Sequence, residues 1–181
     1  MKKYLTCLSR AALVAVTATA LCLVSTAKAA DEAKMDSKTK SNLSVNDKKF
    51  LKKAYKGGMT EVANAKVAKE KAKDDATKEI ADRMITDHGK ANEKLMAMAK
   101  EENVDLSKVE AKPASMSGDN IDKEYLTMLK KDHEKDIALF EKEANDTGAK
   151  EDSDVKAFAK DTLPTLKEHL QMVDDALAKM K

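Results

Sequence analysis

The sequence predicts an all-α fold, a bundle of four amphipathic helices with a long connection between the second and the third. After residue 29 the chain is rich in Ala, Lys, Glu, Asp, Leu and Met and poor in Gly and Pro, a composition that favours helices. Apolar residues recur three and four positions apart in four separate stretches, as on one face of a helix. No stretch alternates apolar and polar residues for long enough to predict a strand.

The N-terminus has the pattern of a cleavable secretory signal peptide. Basic residues open the chain, an uncharged apolar run covers residues 11–24, and Ala27-Lys28-Ala29 gives a small-x-small cleavage site. The apolar run is too short for a stable membrane span, so we expect cleavage after Ala29. The sequence therefore predicts a periplasmic or otherwise exported protein without a membrane span after cleavage, and a retained membrane anchor is the alternative.

Removal of residues 1–29 changes the charge and the redox chemistry of the chain. This segment carries four basic residues and both cysteines, Cys7 and Cys22, and the remaining chain has thirty basic and thirty-two acidic residues. A near-neutral chain argues against nucleic-acid binding, and the lack of thiols excludes disulfides and cysteine-ligated metals. Aromatic residues make up 3% of the chain and Trp is absent, which argues against stacking on bases or sugars. A protein partner or self-association stays open.

The first predicted helix follows a polar leader. Residues 30–45 have little to bury and are predicted to be a flexible leader ahead of a bundle over residues 46–181. Ser44 followed by Asp47 is typical of a helix start, and helix one is predicted over about residues 46–73. Gly57 and Gly58 interrupt this helix and indicate close approach by a neighbouring helix, or else a local bend.

Three further helices complete the bundle. Helix two is predicted over about residues 75–102, helix three over about 119–146, and helix four from about 153 to 180. Pro164 lies inside helix four and predicts a kink. Residues 103–118 lack helical periodicity and are long enough either to cross the length of the bundle or to form a slack hairpin loop. Periodicity does not decide between the two.

Each predicted helix carries one polar residue on its apolar face. These residues are Glu61, His88, His133 and His169, and they include all three histidines of the chain. Their depths along the helices agree to within about 6 Å, so all four side chains can meet near the middle of the bundle. Buried imidazoles and a buried carboxylate are costly unless something satisfies them. One transition-metal ion, such as zinc, iron, copper or manganese, would do so, and we expect these four residues to be its ligands.

Acidic residues near the histidines are candidate outer partners of this site. Asp87, Asp132 and Glu168 each precede a histidine directly, and Asp136 lies three residues beyond the second one. Such carboxylates can orient the second ring nitrogen of a metal-bound imidazole. The alternative is a set of buried histidines that bond to acids or to Glu61 without a metal.

Several motifs resemble those of the domain of unknown function 4142 family. They are Gly58-Met59-Thr60-Glu61-Val62, Met84-Ile85-Thr86-Asp87-His88, Tyr125 with Asp132-His133, and Leu163-Pro164 followed by Leu166 and His169. The resemblance covers nearly all of residues 46–180. It implies a protein exported from bacteria with a ferritin-like four-helix bundle, in which residues 103–118 form the long crossover. It implies no established activity.

The sequence departs from the di-iron pattern of ferritin-like bundles. That pattern needs Glu-x-x-His on two helices, and the residues three before the histidines here are Ile85, Lys130 and Leu166. The departure argues against ferroxidase or oxygen-activating di-iron chemistry. A mononuclear site of three histidines and one glutamate fits the residues better.

Two functions follow from these patterns. The first is an exported bundle that binds one transition-metal ion for metal handling or stress protection. The alternative is a structural or interaction module of the cell envelope with a pH-sensitive polar core, because an unperturbed imidazole titrates near pH 6.5. An enzyme is a third interpretation that the sequence does not favour, since it would need an open coordination position and a pocket.

Overall fold

The computed structural model describes residues 41–148 and 153–180, and within these ranges it contains helices and no strand. The helices are α1 (Val45–Lys71), α2 (Asp75–Glu101), α3 (Ile121–Ala144) and α4 (Asp154–Lys179). The predicted all-α, four-helix fold is therefore confirmed. The signal peptide, its cleavage site and residues 30–40 of the leader lie outside the described residues.

Side-chain caps fix where the helices begin. Ser44 and Asp47 form a reciprocal capping box at α1, in which Asp47 N donates to Ser44 Oγ at 3.1 Å and Ser44 N donates to Asp47 Oδ2 at 3.0 Å. Asp74 and Ser153 cap α2 and α4 with one hydrogen bond each, in which the side chain accepts from the backbone N–H three residues on. These caps join residues only three positions apart in sequence, which is why the starts of the helices were predictable.

The order of neighbours around the bundle is α1, α2, α4, α3. α1 packs against α2 and α3, α4 packs against α3 and α2, and α2 lies diagonally opposite α3. The pair Lys69–Asp82 joins the end of α1 to the start of α2, and the pair Lys130–Asp174 joins α3 to α4, both at 2.5 Å. Two antiparallel helix pairs, α1–α2 and α3–α4, therefore build the bundle.

The connection between α2 and α3 runs from one end of the bundle to the other. Glu102, at the end of α2, accepts hydrogen bonds from Ser41 and Asn42 just before α1. Asp122, at the start of α3, accepts instead from the backbone N–H groups of Lys73 and Asp74 just after α1. The segment between the two helices must travel the length of α1, about 40 Å. It is a crossover, as the family resemblance implied, and not a hairpin loop.

Two apolar clusters fill the bundle above and below a polar layer. One contains Phe50, Phe140 and Phe158, in which the Phe50 and Phe140 ring centroids lie 4.9 Å apart. The other contains Met84 and Tyr125 with several aliphatic residues. The polar layer between them holds the candidate site. Among the described helices, none combines the length and the apolar character that a membrane crossing requires.

Candidate metal centre

Each helix contributes one buried polar side chain to the middle of the bundle. Glu61 comes from α1, His88 from α2, His133 from α3 and His169 from α4, and their exposed fractions are 2%, 6%, 0% and 1%. The apolar stripe of each helix carries its polar residue into the core, because the stripe faces the neighbouring helices. The structure thus brings together the four side chains that were predicted to meet.

The three imidazoles form a nearly equilateral triangle. Their ring centroids are separated by 5.3 Å (His88–His133), 5.4 Å (His88–His169) and 5.3 Å (His133–His169). One nitrogen from each ring lies within 4.8 Å of the corresponding nitrogens of the other two. Glu61, predicted as a fourth ligand, is not a member of this group of metal-ligating atoms.

Glu61 lies behind two of the imidazoles. Its Oε2 atom is 3.0 Å from His88 Nδ1, and its Oε1 atom is 3.0 Å from His133 Nδ1. Among the described residues, neither oxygen receives a hydrogen bond of good geometry in spite of these distances. Burial by itself would raise the pKa of Glu61, but the two imidazoles outweigh it and hold that pKa far below its usual value. Glu61 in turn raises the pKa of His88 against the opposing effect of burial.

The hydrogen-bond acceptors around His133 and His169 assign the protons of both rings. His133 Nδ1 lies 3.1 Å from the carbonyl oxygen of Leu129, so this nitrogen carries the proton and Nε2 has the lone pair. His169 Nε2 lies 3.1 Å from Asp87 Oδ2, so the proton of a neutral His169 belongs on Nε2 and the lone pair on Nδ1. Burial and the neighbouring His88 lower the pKa of His169 to about 4, so this ring is neutral at neutral pH.

This assignment leaves two lone pairs facing each other. His133 Nε2 and His169 Nδ1 are 3.2 Å apart, which is a hydrogen-bond distance, and in the assigned tautomers neither nitrogen carries a proton to donate there. The contact needs either one additional proton or a cation that accepts both lone pairs. His88 Nε2 is also buried, and it has no hydrogen-bond partner among the described residues.

The four acids predicted as outer partners have different positions. Asp87 contacts His169 on another helix and also pairs with Arg83, and these two neighbours lower its pKa against the effect of burial. Asp136 lies beside Glu61, whose charge adds to burial in raising the pKa of Asp136 well above its usual range. Asp132 pairs instead with Lys135 at 3.0 Å, and Glu168 is exposed.

A small cavity of about 30 Å³ adjoins the triangle, and His88, His169, Asp136 and Asn92 contribute to its lining. A Cβ atom at Gly58 would lie only 2.4 Å from Asn92 Oδ1, so α1 and α2 approach closely here, as the paired glycines predicted. Asn92 was not among the residues that were predicted to belong to the site. The sequence feature that could have identified Asn92 is its position one turn after His88, as a polar residue on the same apolar stripe.

A family model described as a domain of unknown function, DUF4142, matches residues 30–176. The chain belongs to the DUF4142 family. The match includes all four helices nearly to their ends and every residue of the polar layer. It confirms the resemblance that the motifs indicated.

Comparisons beyond the family show the fold of this DUF4142 protein. No curated protein is significantly similar to the chain. A solved structure, the crystal structure of a DUF305 fragment from Deinococcus radiodurans, aligns with a TM-score of 0.62 and 11% sequence identity over 76% of this chain and 98% of that one. At this identity the likeness supports the helical architecture alone.

Proposed function

We propose that the protein binds one transition-metal ion through His88, His133 and His169. The observation that carries the proposal is the 3.2 Å distance between His133 Nε2 and His169 Nδ1 in a fully buried contact, where the tautomers assigned from the other ring nitrogens place two lone pairs. A metal ion between them would convert an unfavourable contact into two coordinate bonds. His88 Nε2, which has no hydrogen-bond partner within residues 41–148 and 153–180, supplies the third bond.

The distances between the rings support a single ion. A metal that is roughly 2.0–2.1 Å from each imidazole nitrogen, with tetrahedral angles, sets neighbouring ligand atoms about 3.3 Å apart and ring centroids about 5 Å apart. The observed values are 3.2 Å for the one nitrogen pair and 5.3 to 5.4 Å for the three centroid pairs. Small shifts of the side chains are therefore enough to close the site.

Glu61 and Asp87 act in this proposal as orienting carboxylates. Glu61 faces the Nδ1 atoms of His88 and His133, and Asp87 faces Nε2 of His169, so each imidazole has a carboxylate behind it. Such carboxylates fix the tautomer and raise the basicity of the ligating nitrogen. The role proposed for Glu61 differs from the sequence-based prediction, in which Glu61 was a fourth metal ligand. Here Glu61 would stabilise the bound ion indirectly, by contacting the ring nitrogens of His88 and His133 that do not bind the metal.

The ligand chemistry narrows the choice of metal. Three neutral imidazoles suit zinc, copper or iron better than manganese, which prefers oxygen ligands. We propose metal handling or stress protection as the role, in an exported protein whose signal peptide is cleaved after Ala29. Amino-terminal sequencing of the protein from its native compartment tests the cleavage, and a first residue other than Ala30 contradicts that position.

A second candidate function rests on the same contact. With one additional proton, His133 and His169 form a direct hydrogen bond, and the polar layer becomes a pH-sensitive core of a structural or interaction module. Metal content separates the two functions.

Elemental analysis of the protein from its native compartment is the deciding experiment. The proposal expects near-stoichiometric metal in the wild type and its loss in the double variant His88→Ala, His133→Ala. Glu168→Ala is the matched control, because Glu168 is adjacent to His169 in sequence but exposed. Absence of metal from the wild type, even after reconstitution with zinc, copper and iron, overturns the proposal whatever the variants do.

A further inference from the structure

The cavity beside the histidine triangle has the size of a single small molecule. Its volume is about 30 Å³, which is close to the volume of one water molecule. His88 and His169, two of the proposed metal ligands, contribute to its lining. A molecule in this cavity would therefore lie beside the metal ion. Three histidine ligands leave one position of a tetrahedral ion for such a molecule.

The polar lining of the cavity consists largely of hydrogen-bond acceptors. Asn92 Oδ1 is buried and receives no hydrogen bond from any described residue. The carboxyl groups of Asp87 and Asp136 also contribute to the lining. A ligand at this place must offer a lone pair to the metal and must also donate a hydrogen bond to Asn92. Water does both, because its oxygen has the lone pairs and its two hydrogens stay free to donate.

Gly58 leaves room for the Asn92 oxygen at the edge of the cavity. A Cβ atom at Gly58 would lie only 2.4 Å from Asn92 Oδ1, so any larger residue there must displace the amide. Gly58 is itself among the lining residues of the cavity. The close approach of α1 and α2 at this glycine thus keeps the acceptor in its observed position.

A groove on the surface of the bundle adjoins the cavity and gives water a way in. The groove has a volume of about 240 Å³. It shares four lining residues with the cavity, namely Asp87, Ala91, Thr162 and Thr165. Charges of both signs line it, from Arg83, Lys90, Lys94, Asp87 and Asp161. Such a mixed lining gives no strong preference for a charged ligand, and it fits the exchange of a neutral one with solvent.

We propose that the cavity holds one water molecule as the fourth ligand of the metal ion, and that Asn92 Oδ1 accepts a hydrogen bond from this water. The proposal rests on the proposed function, because the water binds through the ion. It makes the centre a site with one exchangeable position. A structural metal site, in contrast, is closed by four protein ligands.

Pulsed electron–nuclear double resonance of the copper(II)-loaded protein, without an affinity tag and in water enriched in oxygen-17, tests the proposal. Couplings to imidazole nitrogens identify the proposed centre, because the three histidines of the chain all lie there. A coupling to oxygen-17 identifies a bound water, and we expect both. Nitrogen couplings without an oxygen-17 coupling overturn the water site and leave the metal site standing. A protein that shows no imidazole couplings overturns both.

Variants of Asn92 place the water in the cavity. Asn92→Leu removes the acceptor and fills its space, so we expect the oxygen-17 coupling to be lost while the nitrogen couplings remain. Asn92→Asp keeps an oxygen acceptor and should keep the oxygen-17 coupling. An unchanged oxygen-17 coupling in Asn92→Leu, or its loss in Asn92→Asp with the nitrogen couplings intact, overturns the role of Asn92.

A pair of glycine variants tests the same acceptor from α1, and it serves should Asn92→Leu fail to fold. Gly58→Ala must displace the Asn92 amide, and we expect the oxygen-17 coupling to fall at least twofold without loss of copper(II). Gly89→Ala is the matched control, because a Cβ atom at Gly89, one residue after His88, meets nothing within 4 Å. Equal oxygen-17 couplings in the two variants overturn the assignment of the water to this cavity.

Discussion

His133 Nε2 lies 3.2 Å from His169 Nδ1, and each of these rings offers its other nitrogen to an oxygen acceptor. Two neutral imidazoles in this arrangement have no proton for the contact between them. One additional positive charge would satisfy this contact, and the two proposed functions differ in whether a metal ion or a proton supplies it.

Asp87 and Asp132 make a matched pair for metal affinity. Each directly precedes a histidine, but Asp87 contacts His169 at 3.1 Å whereas Asp132 pairs with Lys135. We expect Asp87→Asn to weaken metal binding about 10- to 100-fold, the usual effect of losing a carboxylate behind a ligating imidazole. Asp132→Asn should leave affinity unchanged. Competition with a chelator of known affinity measures both, and equal affinities would contradict the orienting role of Asp87.

Removal of His88 should expose the cost of the buried Glu61 charge. With metal removed, His88→Ala leaves Glu61 with one fewer imidazole partner, and we expect a loss of about 3–5 kcal/mol in the free energy of unfolding. Adding Glu61→Gln removes the charge and should recover part of this loss. Urea denaturation in the presence of a chelator gives the free energy of unfolding of the wild type, the two single variants and the double variant. Simple additivity of the two substitutions would mean that the side chains are not coupled.

Glu143 predicts a pH dependence of stability away from the metal centre. Burial, followed by the nearby carboxylates of Asp47 and Asp146, raises the pKa of Glu143 from 4.5 to about 7. The positive charge of Lys142 opposes this increase but is the weaker effect. A raised carboxyl pKa stabilises the fold fully below pH 4.5, and that stability is lost as the pH rises through 7. We expect stability to fall by on the order of 1–2 kcal/mol from pH 5 to pH 8, after allowance for solvent screening.

The variant Glu143→Gln should flatten this dependence, because the amide does not ionise. Glu141→Gln is its control, since Glu141 lies on the surface in a 2.8 Å ion pair with Lys167. Thermal melts from pH 5 to pH 8 give the comparison. If both variants keep the wild-type slope, Glu143 is not the titrating group.

Asn64 holds the crossover against α1. Its Oδ1 atom accepts a hydrogen bond from the backbone N–H of Ala114 at 2.7 Å. Asn64→Ala leaves this donor without its partner, so we expect a loss of about 1–3 kcal/mol and faster proteolysis within residues 103–120. Ser107→Ala, which removes a bond local to the crossover with Asp105, should change stability by less than about 0.5 kcal/mol. Limited proteolysis with mass spectrometry locates the cuts.

The helices were predictable because their signals are local. Three helices begin at a side-chain cap that joins residues three positions apart, namely Ser44 with Asp47 at α1, Asp74 at α2 and Ser153 at α4. The apolar stripes are also visible within each helix, without knowledge of the rest of the chain. The crossover was not predictable from periodicity. It depends on Asp122 contacting the end of α1, a pairing between residues about fifty positions apart that no local pattern encodes.

The sequence was enough to predict which residues form the site, but not which atoms of these residues contact one another. Positions on the apolar stripes and similar depths were enough to bring Glu61 and the three histidines together. Which nitrogen faces which oxygen depends on how the helices rotate against one another. Asp87, Asp132 and Glu168 occupy equivalent positions in sequence, yet of the three, Asp87 is the one that pairs with a histidine of another helix.

The path of the crossover also means that the polar layer is an interface between two hairpins. The α1–α2 hairpin supplies Glu61, Asp87 and His88, the α3–α4 hairpin supplies His133 and His169, and neither half holds the complete set. The chain that links the halves runs along the outside of the bundle and provides none of these groups. In assembly terms the centre resembles the shared site of a two-subunit complex whose subunits happen to be covalently joined. A molecule cut in the crossover could therefore keep its centre for as long as its two hairpins stay docked.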